Sequence, residues 1–330
     1  MLRVVVLWAC VAASLGKDLD TAKEQYKKWN TALAGKMIEK DAAKVAALYS
    51  TEANFLSYLP LSSPDHIKST QTVTDYFVDF VKKNPSAPTT TSDFFLKFDD
   101  NSFLHSGMVD VLMGDLAPVN KQTTTKARFT YVWKRKDDAD DWKIAHHHES
   151  VLPAKGRRSG SDLKEAAEEA APFGAFALAA KAAALPASRR KDAVTAQAEF
   201  KKWNDALKSN RWDTQVKPLY ISETDKLSVL PQDSPDHIKD LAALEKYFDT
   251  FLKKNPNCII TDELVQAYND NKIFVHSGLY TCMLGEMSKQ VATASRFTFV
   301  WKDTNTDTTK DPAWRIVHHH SSVVPVPPCT

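Results

Sequence analysis

The chain has 330 residues, 43% of them apolar and 25% charged, with 43 basic against 41 acidic side chains and a net charge of +2. These are ordinary values for soluble globular domains. There is no basic stripe or tail of the kind a phosphate backbone demands, which sets nucleic-acid binding aside.

Met1-Leu2-Arg3 is a short positive start, Val4 to Val11 an apolar core, and Ala12-Ala13-Ser14-Leu15-Gly16 offers small residues at the spacing of a cleavage site after Gly16. This pattern predicts a signal peptide over residues 1–16. The apolar stretch is too short to stay in a bilayer, and no later stretch is suited to crossing one. The expected location is the secretory pathway or the extracellular space; some algae also reach a plastid through a secretory leader.

The rest of the chain is a duplication. Lys27-Lys28-Trp29-Asn30 recurs as Lys201-Lys202-Trp203-Asn204, and Ser63-Pro64-Asp65-His66-Ile67-Lys68 as Ser234-Pro235-Asp236-His237-Ile238-Lys239. His105-Ser106-Gly107 returns as His276-Ser277-Gly278, and Arg128-Phe129-Thr130 with Trp133 as Arg296-Phe297-Thr298 with Trp301. The offset drifts only between 168 and 174 (301 − 133 and 203 − 29), so the copies differ by short loop changes. Copy one is expected over 17–153 and copy two over 191–330, each of ordinary domain size. Residues 154–190, alanine-rich after Arg157-Arg158-Ser159-Gly160-Ser161, read as a linker.

Each copy reads as helix, helix, turn, helix and then strands. In copy two Phe200, Trp203 and Leu207 recur at helical spacing and form one apolar face. Ser234-Pro235-Asp236 reads as the start of a helix that carries Ile238, Leu241, Leu244, Phe248 and Phe251 inward. Strand-like runs follow over Ile259–Tyr268, Ile273–Leu284, Ala294–Trp301 and Trp314–Val324. Helices first and antiparallel strands after is an α+β plan, with a curved sheet closing over the helices into a cone. Cys258 and Cys282 both fall in copy two and are suited to pairing in an oxidising compartment. Copy one has no cysteine at the matching places.

Six of the ten histidines lie in two runs, His146-His147-His148 and His318-His319-His320, each ending a strand-like segment. Strand side chains alternate, so three consecutive imidazoles cannot reach one metal. His318 and His320 share a face, read here as that of Trp314, Ile316 and Ser322; His319 shares the other with Val317 and Ser321. The first pair suits a metal such as zinc, short of a third ligand. The second suits a hydrogen-bonding pair in a pocket. Arg296, beside Phe297 on a strand, either enters that pocket to bind an anion or pairs with a surface carboxylate.

The pattern of Trp203-Asn204, Tyr247-Phe248, Arg296 to Trp301 and Trp314 to Ser322 resembles the association domain of calcium/calmodulin-dependent kinase II. It also resembles the relatives of that domain that include the iota-class carbonic anhydrases, with their nuclear-transport-factor-2-like cone. The resemblance implies two tandem cones and hydration of carbon dioxide in a polar pocket, without metal in some members. Carried over, it implies Tyr247, His319 and Ser321 as catalytic groups, with Gln232 where the family places a threonine. His319 would accept or relay a proton, Tyr247 orient the water and Ser321 hold bicarbonate. Tyr280 and Arg296 would complete substrate binding. The copy-one counterparts are Tyr76, His147, Glu149 and Leu61, with Val109 opposite Tyr280, so copy one reads as degenerate. No cofactor is firmly implied; zinc or manganese at His318 and His320 is the expectation if a metal binds. Two readings stay open. One is an iota-type carbonic anhydrase acting on carbon dioxide and bicarbonate. The other is a non-catalytic association module that binds small anions or partner subunits. Tandem copies predict a homo-oligomer or a pseudo-dimer within one chain.

Overall fold

In the computed structural model the described residues are 19–33, 42–52, 54–86, 90–114, 123–153, 187–286, 288–307 and 309–325. The expected signal peptide, Cys329 and most of the expected linker lie outside them.

In chain order the first copy forms α1 (19–33), α2 (Ala42–Ala46), β1 (Ser57–Leu59), α3 (Thr70–Phe80), β2 (Thr90–Asp99), β3 (Ser102–Met113), β4 (Thr123–Lys134) and β5 (Lys143–Val151). The second forms α4 (Ala187–Lys208), one π-helical turn (Trp212–Val216), β6 (Ser228–Leu230), α5 (Leu241–Phe251), β7 (Asn257–Tyr268), β8 (Ile273–Leu284), β9 (Val291–Asp303) and β10 (Trp314–Val323). Each sheet has five strands, in the orders β1-β5-β4-β3-β2 and β6-β10-β9-β8-β7. The α+β plan is therefore as expected, with one addition. The three-residue β6 lies parallel to β10, pairing Ser228 to Leu230 with His318 to His320. Three residues are too few for alternation to reveal in a sequence.

The chain divides into two compact units. One holds residues 1–56 and 68–147; the other holds Ser57–Ile67 and residues 148–330. In the first, Trp29, Tyr49, Phe77, Phe129, Tyr131 and Trp133 fill the core. In the second, Phe200, Trp203 and Leu207 of α4 are buried as their spacing requires, against β9 residues Phe297 and Phe299.

Two local expectations are corrected. Ser234-Pro235-Asp236 does not open a helix. Ser234 Oγ donates to Asp236 Oδ2 at 3.0 Å and accepts from the Asp236 N–H at 3.2 Å, a turn closed by local side-chain bonds. Ile238 then bridges to Val229, and α5 starts at Leu241, where Asp240 caps by accepting from the Ala243 N–H at 2.7 Å. The second correction concerns β10. Its register against β9 shifts between Ile316 and His318, a bulge that resets the alternation. Trp314 and Ile316 thus fall on the face of His319 and Ser321, not on that of His318 and His320.

Candidate functional site

The bulge aims His319 into the interior of the second unit. β9 places Phe299 directly opposite His319, and the two rings stack with centroids 4.1 Å apart. Trp203 of α4 meets the imidazole edge-on at 5.4 Å. Within this aromatic box both ring nitrogens have partners: Nδ1 lies 3.0 Å from the Tyr220 hydroxyl and Nε2 2.6 Å from Ser321 Oγ. Trp203 Nε1 donates to the Tyr220 oxygen at 3.1 Å, and the Tyr280 hydroxyl donates to Ser321 Oγ at 3.0 Å. One assignment gives every one of these protons an acceptor: Tyr220 donates to Nδ1, and Nε2–H donates to Ser321. The result is one polar chain, Trp203–Tyr220–His319–Ser321–Tyr280, running through an apolar core.

Burial decides the electrostatics of this chain. His319 is 4% exposed. Loss of hydration disfavours its cation and pushes its pKa down from 6.5 to about 3. The same loss pushes the phenols of Tyr220 and Tyr280 up, more than their hydrogen bonds from Trp203 and to Ser321 pull them down. At neutral pH every member of the chain is uncharged.

Copy one keeps the frame of this site. Tyr131 stacks on His147 at 4.1 Å, Trp29 meets it at 5.6 Å, and the Tyr49 hydroxyl lies 2.7 Å from its Nδ1. Val109 and Glu149 stand where copy two has Tyr280 and Ser321. Tyr49 and Tyr220 were not singled out from the sequence. Their signal was there: Leu48-Tyr49 recurs as Leu219-Tyr220 at the offset of 171 (220 − 49) that also relates His276 to His105.

The other expected residues lie elsewhere. Tyr247 stacks on Phe251 at 5.4 Å and lines a surface cleft of about 540 Å³ with Asp233, His237, Lys246 and Lys254. Tyr76 repeats this packing on Phe80 at 5.3 Å. Gln232 and Leu61 are buried in the turns after β6 and β1. Arg296 pairs with Ser322, so it belongs to the face opposite His319. It is buried, not at the surface. Its Nε donates to Ser322 Oγ at 3.1 Å, one terminal nitrogen to the Glu149 carbonyl at 2.9 Å and the other to the Pro60 carbonyl.

His318 and His320 share that opposite face. His318 Nδ1 lies 3.0 Å from Ser228 Oγ, and His320 Nε2 lies 2.8 Å from Ser150 Oγ. His320 also stacks on His148 at 3.7 Å, and the His148 nitrogens reach Thr298 and Ser322 at 3.0 Å each. Among the described residues no group of three histidine, cysteine or carboxylate side chains is placed to hold a metal ion. On the neighbouring strands β8 and β7, His276 Nε2 meets Glu263 at 2.7 Å. Burial alone would raise the Glu263 carboxyl; the hydrogen bond and charge of His276 and the bond from Gln197 together hold it below its ordinary value.

The family model described as calcium/calmodulin dependent protein kinase II association domain matches residues 23–153 and again 193–325, well over half of the chain. The chain belongs to this family. It carries the association domain twice, and each copy has the α+β, nuclear-transport-factor-2-like architecture. Among solved structures, a candidate association domain from Xanthomonas campestris is 28% identical, covering 40% of this chain and 86% of its own at a TM-score of 0.35. The kinase hub from S. rosetta is 18% identical, covering 39% and 93% at a TM-score of 0.32. A candidate dehydratase of the NTF2-like family from Streptomyces avermitilis is 19% identical, covering 41% and 99% at a TM-score of 0.33. A search of curated proteins found no match.

Proposed function

We propose that this tandem association-domain protein is a self-assembling module in which the histidine runs are buried joints and not a reaction centre. The state of His319 carries this reading. A general base works best when its pKa lies near the working pH. An imidazole with a pKa of about 3 lies some four units below neutrality. That costs roughly 5 kcal/mol in proton-transfer driving force relative to a matched base. Packed rings and hydroxyl groups occupy the space around both nitrogens, so a substrate would have to displace Tyr220 or Ser321. Membership of an association-domain family supports the same conclusion. The test is light scattering of the purified chain from nanomolar to tens of micromolar. A discrete assembly larger than one chain is expected, and a monomer throughout that range would overturn the proposal.

A second reading, an iota-type carbonic anhydrase, is favoured by one observation. The polar chain is unbroken from Trp203 to Tyr280 in copy two, while copy one lacks two of its hydroxyls. Such a chain has the components of a proton relay, with Tyr220 in the place expected for Tyr247. Stopped-flow hydration of carbon dioxide in the presence of a chelator tests it. Fast hydration that disappears in His319→Ala would replace the assembly reading; hydration at the uncatalysed rate, with or without added zinc, would end the enzymatic one.

We further infer that the chain enters the secretory pathway. The expected leader over residues 1–16 and the Cys258–Cys282 pair support this route, since disulfides persist in oxidising compartments. A mature N-terminus at residue 17 is the expected result of N-terminal sequencing, and an intact Met1 would oppose it.

A further inference from the structure

Cys258 and Cys282 form a disulfide. They face each other directly across β7 and β8. β7 is the outermost strand of its sheet, and Cys258 is its second residue, so the bond ties the start of the edge strand to β8. Both residues are buried.

The disulfide connects to both ends of the polar chain around His319. On β8, Tyr280 lies two residues before Cys282 and therefore on the same face, with its hydroxyl on Ser321. On β7, the Cys258 N–H donates to Asn204 Oδ1 at 2.8 Å. Asn204 Nδ2 also donates to Asn257 Oδ1 at 3.3 Å. Asn204 follows Trp203, whose indole donates to Tyr220. Release of the β7 end thus acts on the helix residue beside Trp203, and release of β8 acts on Tyr280. The duplication supports the link. At an offset of 171 the cysteines correspond to Ala87 and Val111, and the copy without the cysteines is the copy without the Tyr280 and Ser321 hydroxyls. Cysteines and hydroxyls come together in one copy.

We propose that Cys258–Cys282 is a site of thiol–disulfide exchange whose redox state sets the order of the Tyr220–His319–Ser321–Tyr280 chain. The reductant is a dithiol. One of its thiolates attacks a sulfur of the pair to give a mixed disulfide, and its second thiolate resolves that intermediate. Cys258 and Cys282 leave as two thiols, the dithiol leaves as a disulfide, and two electrons and two protons have been transferred. The inference rests on neither functional reading, because it concerns the order of the site and not its activity.

The test treats the native full chain with dithiothreitol, with conversion followed by alkylation and mass mapping of the Cys258 and Cys282 peptides. Hydrogen exchange is read over residues 257–262 and 279–284, and the His319 ring nitrogens are read by NMR. Both cysteines are expected to become alkylated only after reduction. Exchange in both segments is expected to quicken by at least about tenfold, with a change in the His319 ring signals. The double variant Cys258→Ala/Cys282→Val, which carries the residues of copy one, is expected to exchange at the fast rate and to ignore the reductant. Three results would overturn the proposal: cysteines alkylated without reduction, a disulfide that resists dithiothreitol until the chain unfolds, or full reduction with exchange and His319 signals unchanged. All three are read on the unmodified sequence, so none depends on the variant folding.

Discussion

A neutral imidazole buried among rings makes folding depend on pH. In the unfolded chain His319 takes up its proton near 6.5, whereas in the folded chain it does so only near 3. Above pH 6.5 both states are neutral and the residue contributes no slope. Between 6.5 and 3 the unfolded state alone is protonated, so stability falls by about 1.4 kcal/mol per pH unit. By pH 5 the loss from this residue reaches about 2 kcal/mol, and below pH 3 it levels off. Urea unfolding at pH 7, 6 and 5 measures it. His319→Gln is expected to flatten the slope by one proton, and an unchanged slope would refute the burial of the neutral form. Arg296 gives a second case. Arg296→Met removes donors from the Glu149 and Pro60 carbonyls and from Ser322. Ser322 keeps its His148 partner, and each of the two carbonyls that loses this donor costs about 1–3 kcal/mol, so a loss of at least about 2 kcal/mol is expected from the same denaturation curves. A loss under about 1 kcal/mol would mean the guanidinium is replaced by water. At this scale the sequence was partly readable. Alternation along the last strand joined His319 to Ser321. It could not place Tyr220, which follows the π-helical turn Trp212–Val216 as an isolated bridge to Ile316 with no regular period around it, nor separate Tyr247 on the outward side of α5 from the interior.

At the scale of elements, the bulges of the edge strands explain two glycines. The β7–β8 register shifts between Ile260 and Asp262, and the β2–β3 register between Thr90 and Ser92. Each bulge pushes a carbonyl over the neighbouring strand. A Cβ on Gly278 would lie 2.0 Å from the Asp262 oxygen and 2.8 Å from the Glu263 Cα. Gly107 meets the Ser92 oxygen in the same way at 1.9 Å. Backbone cannot swing aside as a side chain can, so Gly278→Ala is expected to destabilise by about 2–4 kcal/mol. A thermal midpoint within a degree or two of the parent would show instead that the bulge relaxes freely. His-Ser-Gly was visible as a repeated motif, but its reason was not, because the obstacle is a carbonyl on another strand. The long strands were readable from their apolar runs. The β10 bulge was not, and it reversed the face assigned to Trp314 and Ile316. The start of α5 is not legible from Ser-Pro-Asp, which suits a turn as well as a cap; local bonds between Ser234 and Asp236 decide for the turn.

At the scale of the whole molecule, duplication was the most readable property, since it needs only matched residues at a steady offset. The division into compact units carries information that offsets do not. Ser57–Ile67 and His148 onward belong to the second unit together with all of α4 to β10. Within that unit His66 Nδ1 lies 2.9 Å from Asp262 Oδ2 and its Nε2 2.9 Å from Ser57 Oγ, which also meets Ser277 at 2.7 Å. Arg296 holds the carbonyls of Pro60 and Glu149, and His320 rests on His148 and Ser150. A fragment of residues 187–330 keeps every strand of its sheet but loses these partners. Ser277 would then lose its bond to Ser57, Arg296 its bonds to the Pro60 and Glu149 carbonyls, and His320 its bond to Ser150. At roughly 0.5–1.5 kcal/mol net for each hydrogen bond exchanged for one to water, the deficit is a sizeable part of the stability of a typical domain. The fragment is therefore expected to unfold at a clearly lower urea concentration than the second unit does in the full chain, with exchange fastest along β10. Equal midpoints would mean that the second copy is energetically self-sufficient and that the contacts of residues 57–67 and 148–151 add nothing to it.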